Sequence, residues 1–287
     1  MPRYIRRLLF IFTLICFHSL GGVAQILVTN DSIARFDTDS LRRAYDSGPY
    51  FTFYKDNYFT FGTAIGSKPT RANSNIKFQI SIQQKLTRST LPWGTYLYLF
   101  YTQKSFWNIL EKSAPMSDLN FNPGIGWAKP FFSKRTGRYL GKMMIMFEHE
   151  SNGRDGDASR SWNRISLAGH ALLDDNIMVS AKCWIPIIDE RRNRDILHYI
   201  GVYQCGLQVM SNNRRFGASV VLTKRCDLNP LNFNTQLEVK YRIFPGDNQY
   251  LFLQYYNGYG EGLLEYNKFH SQLRVGICLS PTFFSEY

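Results

Sequence analysis

Two residues of one short segment, His149 and Ser151, have side chains that suit nucleophilic chemistry. A serine hydroxyl becomes a nucleophile when an imidazole, whose pKa is ordinarily near ~6.5, accepts its proton. If the segment is a β-strand, both residues face the same side and lie roughly 6.6 Å apart along it, a gap that side chains can bridge. A hairpin centred on Gly156 would place Asn163 opposite His149, where its amide can orient the imidazole. The set suits acyl transfer, which needs a nucleophile, a base and a group that fixes the tautomer of the base.

The elements that would position these residues are β-strands. Residues 75–83 alternate apolar and polar side chains with a period of two, and residues 234–244 and 270–279 do the same. The sequence contains no convincing amphipathic helix that would cover the apolar faces. We therefore predict an all-β fold, an antiparallel transmembrane β-barrel of the outer-membrane type, with apolar side chains facing lipid and polar ones facing the lumen.

The connections between the strands support this fold. Short turns rich in Gly, Asn and Asp alternate with mostly longer loops, which is the asymmetry of outer-membrane barrels, whose short turns lie in the periplasm. The hairpin around Gly156 then lies on the outer side. The pattern predicts twelve strands, over residues 58–66, 75–86, 95–107, 121–132, 139–151, 160–172, 177–188, 196–211, 214–224, 233–244, 249–258 and 268–279.

The strand faces strengthen the candidate site, because a His-x-Ser spacing by itself is weak evidence. The odd-numbered residues from 143 to 147 form the more apolar face of their strand, and His149 and Ser151 continue that row. On the returning strand Asn163 precedes Ile165 on the same face. Polar side chains in a lipid-facing row are costly and usually functional. The alternative is that they merely form the polar rim where the barrel leaves the bilayer.

The N-terminus has the order of an export signal. Arginines 3, 6 and 7 precede an apolar stretch over residues 8–20, and small residues follow at 21–24. We predict a signal peptide over residues 1–24. Residues 25–56 then form a periplasmic N-terminal segment or a lumen plug, and residues 57–287 form the β-barrel domain.

The composition fits an exported barrel. Of the 287 residues, 44% are hydrophobic and 16% aromatic, which excludes a disordered tail and a collagen-like chain. Without the three arginines of the signal the formal charge falls from +12 to +9, and we expect no nucleic-acid partner. Four cysteines remain after the signal, and sequence cannot choose among their possible disulfide pairings. They are Cys183, Cys205, Cys226 and Cys278.

The hairpin resembles the signature of the bacterial outer-membrane phospholipase A family. Residues 149–154 read His-Glu-Ser-Asn-Gly-Arg, and residues 159–164 read Ser-Arg-Ser-Trp-Asn-Arg. The resemblance covers roughly residues 58–279 and implies a calcium-dependent, dimeric serine lipase in a twelve-stranded barrel. Further similar segments are Tyr101–Trp107, Ser113–Pro115, Gly258–Glu261 and Tyr266–Asn267.

The resemblance implies a role for each residue of the hairpin. Ser151 matches the nucleophile, His149 the base, and Asn163 the residue that orients the base. The backbone N–H of Gly153 matches the oxyanion donor of the family, and its missing Cβ lets substrate approach closely.

The family also binds calcium beside this site. The matching ligands are the Arg154 carbonyl and the Ser159 hydroxyl of one subunit, with Ser113 contributed by the other. Oxygen ligands suit calcium, and a site with so few carboxylates implies modest affinity. Asp155 and Asp157 add local negative charge, or are simply turn residues.

Four further residues bear on the resemblance. Gln103 resembles a polar residue at the dimer interface of the family; the alternative is a lumen-facing strand residue. Arg191 and Arg192 stand where acidic groups of a second calcium site would be sought, which puts that site in doubt. Glu261 receives no role in the reaction.

The resemblance thus implies a calcium-dependent outer-membrane phospholipase, of A1/A2 type and also acting on lysophospholipids, that is a homodimer when active. The alternative is a passive porin or adhesion barrel without catalysis. Mixed charges at predicted lumen positions indicate a cross-linked interior more than an open ion channel. These positions are Lys77, Gln79, Glu238, Lys240 and Arg242.

Overall fold

The computed structural model describes residues 37–187, 193–226, 229, 231–245 and 247–281. The predicted signal peptide over residues 1–24 lies outside the described residues, as do Arg191 and Arg192. The strands are β1 Phe51–Phe53, β2 Asn57–Ala64, β3 Ser74–Lys85, β4 Tyr96–Trp107, β5 Met116–Phe132, β6 Tyr139–Ser151, β7 Ser161–Leu172, β8 Ile177–Ile187, β9 Tyr203–Met210, β10 Phe216–Lys224, β11 Phe233–Arg242, β12 Gln249–Gly258 and β13 His270–Leu279. The helices are α1 Thr38–Ser47 and α2 Ile196–Ile200, with short 3-10 turns at Pro92–Gly94 and Gly156–Ala158.

The strands close into one antiparallel barrel. Neighbours pair in chain order from β2 to β13, and β13 pairs back with β2. Both β1 and β2 pair with β3, so together they form a single wall strand that is interrupted at residues 54–56. The described residues therefore build the twelve-stranded all-β barrel that the alternation predicts.

One predicted strand is wrong at its start. The sequence pattern predicts a strand over residues 196–211, but residues 196–200 form α2 and β9 begins only at Tyr203. Ile196 and Ile200 lie one helical turn apart and pack on the same cluster of buried side chains. Gly201 ends the helix with φ of +81°, a conformation that favours glycine. An apolar run this short does not distinguish helix from strand by its periodicity. Within the described ranges, neither helix has the length and apolar character needed to cross a membrane.

The segment predicted to precede the barrel, residues 25–56, is structured from residue 37 onward; residues 25–36 lie outside the described ranges. Asp37 caps α1, since its carboxylate accepts a hydrogen bond from the Ser40 N–H at 3.1 Å. Tyr45 of α1 packs edge-on against Tyr96, whose side chain faces the lumen near the short turns. The Lys85 ammonium donates to the Tyr45 carbonyl at 2.9 Å and so binds the C-terminal end of the helix. The expectation that this segment contains no strand is wrong at β1, which is too short to show an alternation.

The interior of the barrel is cross-linked by charged groups, as the sequence predicts. The Lys77 ammonium lies 3.1 Å from the Glu261 carboxylate, which also binds the Arg274 guanidinium at 2.5 Å. Lys240 and Asp56 form a second buried pair at 2.6 Å. Buried charges need such partners. The ion pairs join strands and loops across the lumen.

Candidate active site

The hairpin of β6 and β7 carries the three residues that the sequence singles out for chemistry. His149 pairs with Asn163 and Ser151 with Ser161, which confirms the predicted register. Phe147 is 47% exposed and Ile165 is 45% exposed, so both lie on the outer wall of the barrel. His149, Ser151 and Asn163 continue these two outward rows, as predicted.

The imidazole of His149 is bound to its neighbour on β7. Its Nδ1 lies 2.8 Å from the amide oxygen Oδ1 of Asn163. A carbonyl oxygen only accepts hydrogen bonds, so Nδ1 is the donor in this contact and Nε2 keeps its lone pair as the basic position. Ser151 lies on the same face of β6, about 6.6 Å further along the strand. The arrangement therefore places a hydroxyl and an oriented base on one face, next to lipid.

The lumen side of the same hairpin is held by ion pairs. Arg164 of β7 donates to Glu148 at 3.1 Å and to Glu150 at 2.8 Å, and both carboxylates belong to β6. Lys182 of β8 reaches Glu148 at 2.8 Å. Because side chains alternate along a strand, the residues between the outward ones anchor β6 from inside. The outward row thus has ion pairs behind it that join β6 to β7 and β8.

Asn152 holds the loop beyond Ser151 together, a role that sequence reasoning missed. Its side chain is 2% exposed. The Nδ2 amide donates to the Ala158 carbonyl at 2.8 Å, and the Oδ1 oxygen accepts from the Arg160 N–H at 2.9 Å. The only sequence signal is the Asn-Gly pair, which marks a turn without indicating what the asparagine binds.

Gly153 adopts a conformation that its residue type makes possible. Its φ is +64°, in the left-handed region. A Cβ at this position would lie 3.0 Å from the ring of Phe121, which is tighter than most real contacts. Glycine therefore serves both the turn and the close approach of the chain to β5.

The residues predicted to bind calcium lie in two different loops. Arg154 and Ser159 belong to the loop between β6 and β7, and Ser113 is an exposed residue of the loop between β4 and β5. The Arg154 guanidinium donates to the Ser117 carbonyl at 2.7 Å and thereby ties its loop to the start of β5, just after the loop that holds Ser113. The described residues hold no cluster of three or more His, Cys, Asp or Glu side chains that suits a metal. The predicted donors are instead hydroxyl and carbonyl oxygens, which suit a hard cation such as calcium.

Gln103 faces outward on β4, so the lumen-facing alternative is wrong. Its Oε1 accepts a hydrogen bond from the Tyr101 hydroxyl at 2.8 Å, and its Nε2 donates to the Ser105 hydroxyl at 3.1 Å. These three polar side chains stand two residues apart along one outward row. A polar row on a lipid-facing wall favours contact with another polar surface over contact with lipid.

The chain is similar to known proteins over most of its length. The sequence profile of the family described as Phospholipase A1 matches residues 43–279. Phospholipase A1 of Escherichia coli is 32% identical over 217 residues, which cover 72% of this chain and 70% of that protein. Phospholipase A1 of Klebsiella pneumoniae is 29% identical over 249 residues, which cover 80% of this chain and 82% of that protein.

Solved structures show the same likeness. The outer membrane phospholipase A of Escherichia coli superposes with a TM-score of 0.71 and 26% identity, covering 81% of this chain and 99% of that one. The dimer of the Salmonella typhi outer membrane phospholipase with bound calcium gives a TM-score of 0.70 and 25% identity, covering 88% of this chain and 99% of that one.

Proposed function

The chain belongs to the phospholipase A1 family of outer-membrane carboxylic ester hydrolases, and from that premise we propose that it cleaves acyl esters of phospholipids and lysophospholipids, with A1 and A2 specificity, on the outer rim of its barrel. The observation that carries the proposal is the 2.8 Å contact between His149 Nδ1 and Asn163 Oδ1, on the outward row that also holds Ser151. Membership in a hydrolase family removes the reason for preferring a passive porin or adhesion barrel.

The three side chains divide the reaction between them. Ser151 Oγ attacks the ester carbonyl, while His149 Nε2 takes the hydroxyl proton and then delivers it to the departing alcohol. Water next attacks the acyl-serine, loses its proton to the same nitrogen, and releases the fatty acid as Ser151 regains its hydrogen. Asn163 keeps Nδ1 as the donor throughout, so that Nε2 remains the basic position. The N–H of Gly153 donates to the oxyanion that forms at the carbonyl oxygen.

Calcium would be held by the Arg154 carbonyl and the Ser159 hydroxyl of one subunit and by Ser113 of the partner subunit. When bound, it supplies positive charge that stabilises the oxyanion. The Asn152 contacts support this assignment, since they fix the chain on both sides of Arg154 and adjacent to Ser159.

We propose that the enzyme is a homodimer when active. An outward-facing site lies in a membrane made of its own substrate, so the separation of ligands between two subunits would keep the monomer inactive. The outward polar row around Gln103 supports a protein partner at this wall. The solved structure of the Salmonella typhi relative is a dimer with bound calcium.

The split ligand set predicts the behaviour of Ser113→Ala. This variant should fold as a barrel yet require more calcium for both dimerisation and activity, because binding that occurs only in the dimer drives its formation. Cross-linking and fatty-acid release measured across a calcium titration provide the test. A calcium-saturated monomer that turns over at the rate of the dimer would rule out this gating.

The catalytic assignment is tested by Ser151→Ala, with Ser161→Ala as its matched control. The two serines pair across β6 and β7 and are both half-buried. Ser151→Ala should lower fatty-acid release by at least about 10³-fold and abolish labelling by a serine-reactive sulfonyl fluoride. Ser161→Ala should keep both. If Ser151→Ala retained wild-type turnover, the assignment of the nucleophile would be wrong.

We further propose that residues 1–24 are removed as an export signal and that the part of the segment 25–56 before β1 lies on the periplasmic side with the short turns. Because β1 belongs to the barrel wall, the lipase domain begins at Phe51 and not at residue 57. The helix α1 supports this orientation, because it packs near the short turns and opposite to the catalytic hairpin. Sequencing the N-terminus of the protein isolated from outer membranes tests the cleavage site.

A further inference from the structure

The base proposed for this site lies opposite a proline. Strand β5 pairs with β6 at Phe121–Ser151 and at Gly124–Glu148. The same register between these two pairs places Pro123 of β5 opposite His149 of β6. Proline has no N–H and cannot donate a hydrogen bond across a sheet. For this reason prolines are rare in strands that are paired on both sides. The backbone carbonyl of His149 must find another donor.

Asn122 supplies that donor with its side chain. Its Nδ2 amide donates to the His149 carbonyl oxygen at 2.8 Å. The amide therefore replaces the N–H that Pro123 lacks. A backbone carbonyl without a hydrogen bond in the wall of a membrane barrel costs free energy. The bond from Asn122 therefore helps to fix the position of the His149 backbone.

The same bond fixes which kind of pair His149 makes with β7. In an antiparallel sheet, the N–H and C=O of a residue point to the same neighbouring strand. The His149 carbonyl points to β5, so His149 and Asn163 form a pair without mutual backbone hydrogen bonds. In such pairs the Cα atoms are only about 4.5 Å apart and the side chains approach closely. That closeness allows the 2.8 Å contact between Nδ1 and Oδ1.

We propose that Asn122 is a positioning residue that acts through the backbone of His149 and holds its imidazole against Asn163. The inference rests on the proposed function, in which His149 is the base. Asn122 belongs to the lumen-facing row of β5, on the other side of the wall from substrate. It can therefore act on His149 only through the hydrogen bond to the backbone. A shift of about 1 Å in a catalytic group can cost about 10²-fold in rate, so loss of this bond should be visible in kcat.

The pair of Asn122 and Pro123 allows a test by rescue. Asn122→Ala removes the donor, and Pro123→Ala restores a backbone N–H at the position where it is missing. Asn122→Ala should lower kcat by roughly tenfold to 10²-fold with little change in KM, and should slow sulfonyl fluoride labelling of Ser151 in proportion. Pro123→Ala should stay near the wild type. The double variant should recover most of the lost kcat, which a purely destabilising change would not do.

Two further variants separate this role from packing. Asn122→Asp keeps the shape of the side chain but has no N–H, and should be as slow as Asn122→Ala. Gln79→Ala is the matched control, because the Gln79 amide also donates to a backbone carbonyl, that of Asp56, at 2.8 Å. Its loss should lower thermal stability and leave kcat unchanged. Heat-modifiable migration in detergent gels verifies that each variant is folded.

The outcomes distinguish this inference from the function on which it rests. If Ser151→Ala and His149→Ala are inactive but folded Asn122→Ala and Asn122→Asp keep wild-type kcat, the positioning role is overturned and the triad stands. An active Pro123→Ala combined with a double variant that stays slow also overturns it. If His149→Ala itself retains activity, the proposed function fails first. Should Asn122→Ala not fold, the Asn122→Asp variant and the double variant still decide the question.

Discussion

The contact between His149 and Asn163 allows the effect of removing Asn163 to be estimated. In Asn163→Ala, Nδ1 of His149 loses the acceptor that now lies 2.8 Å away. During catalysis the imidazole becomes positively charged, and hydrogen bonds to charged groups contribute about 1.5–3 kcal/mol. At about 1.4 kcal/mol per factor of ten, kcat should fall roughly tenfold to 10²-fold. Because Asn163 carries no full charge, it should be the most dispensable of the three residues.

The assay is fatty-acid release from phospholipid in mixed micelles at saturating calcium, with folding checked by heat-modifiable migration. His149→Ala should fall close to the level of Ser151→Ala. The double variant of His149 and Asn163 should be scarcely slower than His149→Ala, since an orienting group has no effect once its imidazole is gone. If the two losses multiplied instead, Asn163 would act independently of His149 and the triad interpretation would be refuted.

Two other predictions concern the loops. Asn152→Ala removes the bonds to Ala158 and Arg160, so it should raise the calcium concentration needed for half-maximal activity by about tenfold, measured by calcium titration at constant substrate. Burial alone would raise the pKa of the Glu261 carboxyl, but the positive charges of Arg274 and Lys77 together have the larger effect and lower it to about 2. The depressed pKa means that ionised Glu261 stabilises the fold above its ordinary pKa of 4.5 and that this stabilisation is lost as the pH falls toward 2. Glu261→Gln should therefore unfold at lower temperature than the wild type at pH 7, and the difference should shrink between pH 4.5 and 2 in a heat-modifiability series; a constant difference would contradict it.

The wall of the barrel and the register of its hairpin were predictable because lipid and lumen impose a strict alternation on every strand. A shift of one residue would turn Phe147 and Ile165 into the lumen and Glu148 into lipid, so only one register is compatible with the sequence. The turn residues around Gly156 then set His149 opposite Asn163. The alternation and the turn are both local features of the sequence, so the register of the hairpin can be predicted without knowledge of the rest of the chain.

What the sequence did not predict depends on distant partners. The helix α2 forms because Ile196 and Ile200 find a buried cluster that other strands and loops provide. An Asn-Pro pair such as Asn122–Pro123 is usually a turn signal. It lies within β5, as the strand predicted over residues 121–132 requires, but the alternation does not indicate that the asparagine amide satisfies the carbonyl that the proline cannot. Which carbonyl that is depends on strand pairing, and composition or periodicity gives no sign of it.

The two faces of β6 have different parts in positioning the site, whose residues are half-buried on the outward side. On the outward side, the imidazole of His149 is held by its 2.8 Å contact with Asn163. On the lumen side, Glu148 and Glu150 bind Arg164, and the three groups hold β6 and β7 at fixed spacing. The spacing of the two backbones determines the distance between His149 and Asn163 on the opposite face. The ion pairs of the lumen therefore hold the hairpin geometry that the proposed mechanism requires, from the face opposite to His149 and Asn163.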